Sequence, residues 1–238
     1  MSTSDNHRSW AKYYDEVNRR CFGELYDELT QQTLMQIGGL GSGLRIADFG
    51  AGTGRLAIPL TAAGHQVTAI EPSKAMLEQL EAKPTHGRIL THHASLSSYA
   101  GPGEHDLALA VFTVIAYILT PEDLVAAFAN AAKALNPQGA LLIDVPRPML
   151  FGDNHVRRDD LIRIINFTSL GHNRYKYEES TELMTSEGPI TYQDSFELRY
   201  WTQDEVRTAL SAAGLAVTED WSARFPMAGA EYWLCHRV

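Results

Sequence analysis

An α/β fold is what this 238-residue sequence predicts: a parallel sheet crossed by helices, then an antiparallel β insert. Three observations predict it. Between residues 44 and 145, five apolar runs alternate with helix-spaced segments, the interval of parallel strands joined by right-handed crossovers. The first run ends in the alternating glycines of Gly50-Ala51-Gly52-Thr53-Gly54, and the second closes on Glu71. After Pro146 the pattern changes to long β-favouring stretches divided by turn residues.

The elements follow in chain order. Residues 9–37 have helical spacing, with Tyr14, Val17, Cys21, Leu25, Tyr26 and Leu29 as apolar markers. The glycines between 38 and 43 read as a joint. Strands are expected at 44–48, 66–71, 88–92, 107–112 and 140–145, with helices at 56–63, 74–81 and 122–135. Pro121 opens the last helix, and Pro137-Gln138-Gly139 is expected to stop it. Residues 161–167, 175–184 and 190–200 should form antiparallel hairpins. They are separated by Gly171-His172-Asn173 and Ser186-Glu187-Gly188-Pro189. Thr202 and Glu205 have the spacing of a capping box, for a helix that ends near Ala213-Gly214. Strands at 216–221 and 231–237 close the chain. Four parts result: an N-terminal helical lid (1–43), a nucleoside-binding core (44–145), an antiparallel substrate cap (146–200), and a helix with a strand pair that completes the core (201–238).

Composition limits the function. Lys and Arg number 20 against 29 Asp and Glu, a net charge of −9, and no basic run exceeds Arg157-Arg158. Phosphate backbones need a concentrated basic face, so no nucleic-acid partner is expected. Two distant cysteines, Cys21 and Cys235, suit a reducing compartment. The first ten residues lack the apolar core of a signal peptide, and the apolar run at 107–119 is too short to span a bilayer. A soluble cytoplasmic protein with no membrane partner is therefore expected. His92, His93, His155 and His172 make no zinc spacing with the cysteines, and no metal site is expected.

Glycine spacing narrows the ligand. A dinucleotide site has Gly-x-Gly-x-x-Gly and seats a pyrophosphate on a helix N-terminus. Here the glycines alternate and Arg55 and Leu56 follow, which suits a nucleoside held beside the loop, its ribose hydroxyls on Glu71.

Three segments then carry a likeness: Asp48-Phe49-Gly50-Ala51-Gly52-Thr53-Gly54, Glu71-Pro72-Ser73-Lys74-Ala75-Met76-Leu77 and Leu135-Asn136-Pro137-Gln138-Gly139-Ala140. In them the chain resembles class I S-adenosylmethionine-dependent methyltransferases. The resemblance implies a Rossmann-like fold with a seven-stranded mixed sheet and helices on both faces. The antiparallel insert is similar to that of sugar-amine N-methyltransferases and glycine N-methyltransferase-like enzymes. It also implies S-adenosylmethionine as cofactor, S-adenosylhomocysteine as product and a small-molecule methyl acceptor as partner.

The resemblance assigns residues position by position. Asp48 would hold the loop, or a water by the methionine amino group; the rival role is a helix N-terminal anion. Gly50, Gly52 and Gly54 would pass beside the methionine part and the ribose, and Glu71 would grip the ribose hydroxyls. Met76 would pack on adenine or in the helix core. Ser95 stands where the family carries an acidic residue for the adenine amine, with backbone around Leu96 as the substitute. Tyr14 would fold over the methionine carboxylate, unless it is simply a helix-face aromatic. Phe112 and Thr113 would line the sulfonium region, Thr113 and Tyr117 would meet the acceptor, and Arg147 would bind an acidic part of it or make a structural ion pair. An amine acceptor needs no strong base; a hydroxyl would lose its proton to Tyr117, His155 or His172. The insert would roof the acceptor cavity or make a homodimer contact. A nicotinamide-dependent oxidoreductase and a non-catalytic nucleoside-binding subunit are the rival functions.

Overall fold

In the computed structural model, which describes residues 6–238, the segment expected as one helix is three. A 3-10 turn covers Arg8–Tyr13, α1 covers Tyr14–Phe22 and α2 covers Glu24–Gly38. Gly23 (φ 56°) separates the two α-helices, in a left-handed conformation that other residues adopt at a cost. Residues 1–5 of the expected lid lie outside the described residues.

The core follows the predicted alternation: β1 (Arg45–Phe49), α3 (Ala57–Ala62), β2 (Gln66–Glu71), α4 (Lys74–Glu81), β3 (Ile89–His93), β4 (His105–Ala110), α5 (Pro121–Ala134) and β5 (Leu135–Pro146). The insert contributes β6 (Asn154–Arg158), β7 (Leu161–Gly171), β8 (Arg174–Thr185) and β9 (Gly188–Arg199). Helix α6 (Gln203–Ala212), β10 (Leu215–Asp220) and β11 (Ala230–Arg237) complete the chain. The main sheet has the order β10-β11-β5-β4-β1-β2-β3. Strands β1 to β5 run parallel, and β11 is antiparallel to both β5 and β10. The predicted seven-stranded mixed sheet and antiparallel insert are therefore present. Chain order reverses beside β1, between β2 and β4, so a crevice opens at the carboxyl ends of these strands.

Alternation along the strands divides the core. Ala47 and Phe49 face α5 and α6, among Leu124, Phe128, Val206, Leu210 and Trp233. Ile46, Leu109 and Leu142 face the other layer, with Ile37, Leu60, Leu77 and Leu80. Asp48 is two residues beyond Ile46, and Asp144 two beyond Leu142, so both carboxylates project on the second face. The expected capping box of Thr202 and Glu205 forms, and Thr120, a cap that the sequence reading did not name, accepts from the Asp123 N–H.

Some expectations need correction. Pro137-Gln138-Gly139 does not stop α5, which ends at Ala134; Leu135 is already extended (ψ 145°) and β5 begins there. The parallel pairing of Leu135 with His105 on β4 overrides the local turn signal. Strand β4 ends at Ala110 rather than 112, because Phe112 (φ 72°) and Thr113 (φ 67°) turn left-handed. Strand β6 was not expected: its sequence, Asn154-His155-Val156-Arg157-Arg158, is polar, and a mostly exposed edge strand gives no hydrophobic alternation.

One face of the insert sheet packs on the N-terminal segment. Trp10 stacks on Tyr192 with 5.2 Å between centroids, amid Val17, Leu161 and Leu183. Below them Arg163 makes a bidentate, buried pair with Glu179 at 2.7 and 3.1 Å. A second cluster joins Phe151, Ile165, Tyr177 and Leu198 of the insert to Ala116, beyond β4. The insert thus covers the crevice end of the core. Among the described residues, no helix is long and apolar enough to cross a membrane.

Candidate functional site

At the switch between β1 and β4 lies a cavity of about 590 Å³, in the range of small-ligand sites. Its floor is the loop after β1, where Gly50, Gly52 and Gly54 have φ of 71°, 56° and 90°. The turn is anchored to β2 through Gly50 N–H, which donates to the Ile70 carbonyl at 2.8 Å. A Cβ at Gly50 would also lie 2.6 Å from a Val114 methyl, so the loop packs this closely only with glycine there.

Glu71 ends β2 and is buried. Its Oε2 accepts from Gly52 N–H at 2.9 Å, and Oε1 accepts from Ser73 N–H at 2.8 Å. Burial pushes the carboxyl above its ordinary value, and these two backbone donors work against that shift. The side chain is fixed in place, and its remaining lone pairs can still accept from a ligand.

Asp48 is more isolated. Burial pushes it up to about 7, with Arg55 opposing the shift and Glu71 adding to it. Its Oδ2 is buried and has no hydrogen-bond partner, and the same holds for Ser73 Oγ. A buried acceptor left unpaired costs about 1–3 kcal/mol, so both atoms point to a polar ligand with donors.

The opposite wall follows β4. Asp144, at the end of β5, accepts the Thr113 N–H on both oxygens at 3.0 Å. It too is buried and raised to about 7, with backbone donors from Thr113 and Phe112 opposing the rise. The guanidinium of Arg55 lies 4.1 Å over the Phe112 ring, between the two buried carboxylates in charge terms, and donates to Thr30 Oγ1 at 2.9 Å. The lid is pinned beside this wall. Asp15 of α1 accepts from Thr53 Oγ1 at 2.6 Å and from Lys83, whose ammonium also donates to the Thr53 carbonyl.

Of the residues named from sequence, Tyr14, Asp48, Gly50, Gly52, Glu71, Met76, Ser95, Leu96, Phe112, Thr113 and Tyr117 all line this cavity. Three do not. Gly54 faces away: a Cβ there would lie 2.3 Å from Leu80 and 3.1 Å from Ile58, so the residue lets α3 and α4 pack closely. Arg147 is exposed and paired with Glu231 at 3.0 Å, which is its structural alternative. His172 is in the exposed turn between β7 and β8 with φ 52°, and His155 is exposed on β6 beside Asn166. The Ser95 hydroxyl is 3.0 Å from that of Ser98, within a local turn.

Among the lining residues that sequence reasoning did not single out are His7, Ser73 and Arg174, and it also missed Asp194, which lies behind His7. His7 Nε2 is 2.8 Å from Tyr117 Oη. Nothing local marks His7, since its backbone partner is 187 positions away. Burial raises the Tyr117 phenol well above its ordinary value, and raises that of Tyr14 to about 12. Neither is a phenolate near neutral pH.

Comparison with known proteins agrees with this geometry. A methyltransferase domain family model matches residues 46–139. A putative methyltransferase of Bacillus subtilis, YqeM, is 27% identical over 141 residues, covering 58% of this chain and 55% of its own. The chain thus spans about half the length of the curated relatives it matches. The structure of the CcbJ methyltransferase of Streptomyces caelestis is similar over all of both chains, with a TM-score of 0.78 and 16% identity. The S-adenosylmethionine-bound structure of CalS10, an amino pentose methyltransferase of Micromonospora echinaspora, is similar over most of both chains. Its TM-score is 0.73 at 21% identity, covering 94% of this chain and 97% of that one. At such identities the structures show the fold.

Proposed function

We propose, on the premise that residues 46–139 belong to the class I S-adenosylmethionine-dependent methyltransferases, that this chain transfers a methyl group to a nitrogen or oxygen of a small molecule. The family's cofactor is S-adenosylmethionine, and the residues present fit it. Glu71 is preset for the ribose hydroxyls, and Asp48 Oδ2 and Ser73 Oγ lack partners where the ligand's polar groups would lie. The single observation that carries the reading is that unpaired Asp48 oxygen in a buried cavity with Glu71.

When bound, the cofactor supplies an activated methyl on a sulfonium. The chain's contribution is alignment and exclusion of water, and effective molarity from alignment can account for several kcal/mol of barrier. Phe112 and Thr113 form the wall beside Tyr117, and Asp144 fixes their backbone. The lid, pinned through Asp15, and the insert, through Arg174, close the cavity. A small acceptor is favoured because insert and lid together enclose the space beyond the loop. The sugar and amino pentose methyltransferases among the structural neighbours support an amine acceptor.

Titration calorimetry with S-adenosylmethionine, S-adenosylhomocysteine and NAD tests the reading. Binding of the first two and not NAD is expected; NAD binding alone would overturn it.

A further inference from the structure

The cavity wall holds a chain of three polar side chains that the alignment of a methyl donor does not require. Tyr117 Oη is 2.8 Å from His7 Nε2. On the far side of the ring, His7 Nδ1 is buried and makes no hydrogen bond, and Asp194 Oδ2 faces it at 3.4 Å, a charge contact outside hydrogen-bond geometry. The same oxygen accepts from His7 N–H at 2.8 Å and Trp10 Nε1 at 3.1 Å. Burial raises the Asp194 carboxyl, and the hydrogen bonds from His7 and Trp10 more than offset it, so the group sits below its ordinary value. Asp194 is therefore a fixed anion. Aromatic edges of Trp10, Tyr14, Tyr117 and Phe196 box the imidazole, with centroids 5.0–5.9 Å away.

An anion facing Nδ1 favours the tautomer with its proton there, which leaves Nε2 as an acceptor. The Tyr117 hydroxyl then donates to Nε2 and turns its oxygen lone pairs to the cavity. We propose that Tyr117, His7 and Asp194 form a proton relay: Tyr117 takes the proton from the acceptor's nucleophile as it passes its own to His7, and Asp194 positions the imidazole and stabilises its cation. This deepens the methyl-transfer reading and rests on it. As the nucleophile's lone pair bonds to the methyl carbon, the S–CH3 bond breaks and its electron pair stays on sulfur. The N–H or O–H proton moves to Tyr117 Oη, and the phenol proton moves to His7 Nε2. Relay through a neutral phenol avoids the phenolate that burial disfavours. The acceptor class is one that must shed a proton to react or to leave, a hydroxyl or a primary or secondary amine.

The groups facing His7 are Asp194 of β9, Tyr117 beyond β4, Tyr14 of α1 and, at longer range, Glu71 of β2. Long-range proton–nitrogen spectra of the histidine-labelled full chain, with His7 assigned through His7→Gln, test the relay without an acceptor. The wild type should show Nε2 without a proton, and Asp194→Asn should mix the two tautomers. Should Asp194→Asn unfold, Tyr117→Phe keeps the ring and should abolish the hydrogen-bond signature at Nε2. If calorimetry finds that S-adenosylhomocysteine does not bind, the donor reading falls and takes the relay with it. If it binds while Nε2 carries the proton, or Asp194→Asn leaves the tautomer unchanged, the relay alone is overturned.

Discussion

Asp144 accepts the Thr113 N–H on both carboxylate oxygens at 3.0 Å, which ties the end of β5 to the left-handed bend that follows β4. Neither Phe112 nor Thr113 is a glycine, and conformations of this kind cost about 1–3 kcal/mol each. The carboxylate is what holds the bend against that cost. Asp144→Ala is expected to destabilise the protein by about 1–3 kcal/mol and to weaken S-adenosylhomocysteine binding, because Phe112 and Thr113 line the cavity. Denaturant unfolding and calorimetry read the two effects, and an unchanged affinity would detach the bend from the ligand site.

Glu71 gives a sharper loss. Hydrogen bonds to a charged group contribute about 1.5–3 kcal/mol, so Glu71→Ala should weaken donor binding about 10- to 100-fold. Glu71→Gln keeps one acceptor oxygen and should fall between the two.

The pH dependence follows from Asp48. Its carboxyl is near 7 in the folded chain and about 3.9 when unfolded, so between these values the folded state holds more protons. Stability from this group is complete below pH ~4 and declines toward pH ~7, by at most ~1.4 kcal/mol per unit. Asp48→Asn removes that decline, and its stability relative to wild type should rise across the same window in parallel denaturant titrations. Other carboxyls, such as Asp106 and Glu205, are shifted the opposite way, so the difference between the proteins is the measurement.

Gly54→Ala separates packing from binding. A Cβ there meets Leu80 at 2.3 Å on a backbone with φ 90°, and a loss of about 1–3 kcal/mol is expected. Gly54 does not line the cavity, so the folded fraction should bind S-adenosylhomocysteine with ordinary affinity.

Beneath the insert, Arg163→Met leaves Glu179 charged and buried, and should cost about 3–5 kcal/mol in unfolding experiments. The double variant Arg163→Met, Glu179→Leu should recover much of it, since a buried pair replaced whole by apolar residues is often neutral.

The sequence by itself determined the main sheet, the capping box of Thr202 and Glu205 and the alternating-glycine loop. Helical spacing, alternation, a glycine turn and a carboxylate at a strand end are all short-range signals, and β2 and α4 have the bounds those signals give. Tertiary structure decided the rest. Pairing with His105 made Leu135 a strand residue where the turn signal expected a helix, and the bend after β4 was set by Asp144, 31 positions on. It left His172 in an outer turn and brought His7, from a polar N-terminus, to Tyr117 across 110 positions and to Asp194 across 187. Such contacts follow from which faces of distant elements pack together, and no local window of residues encodes that.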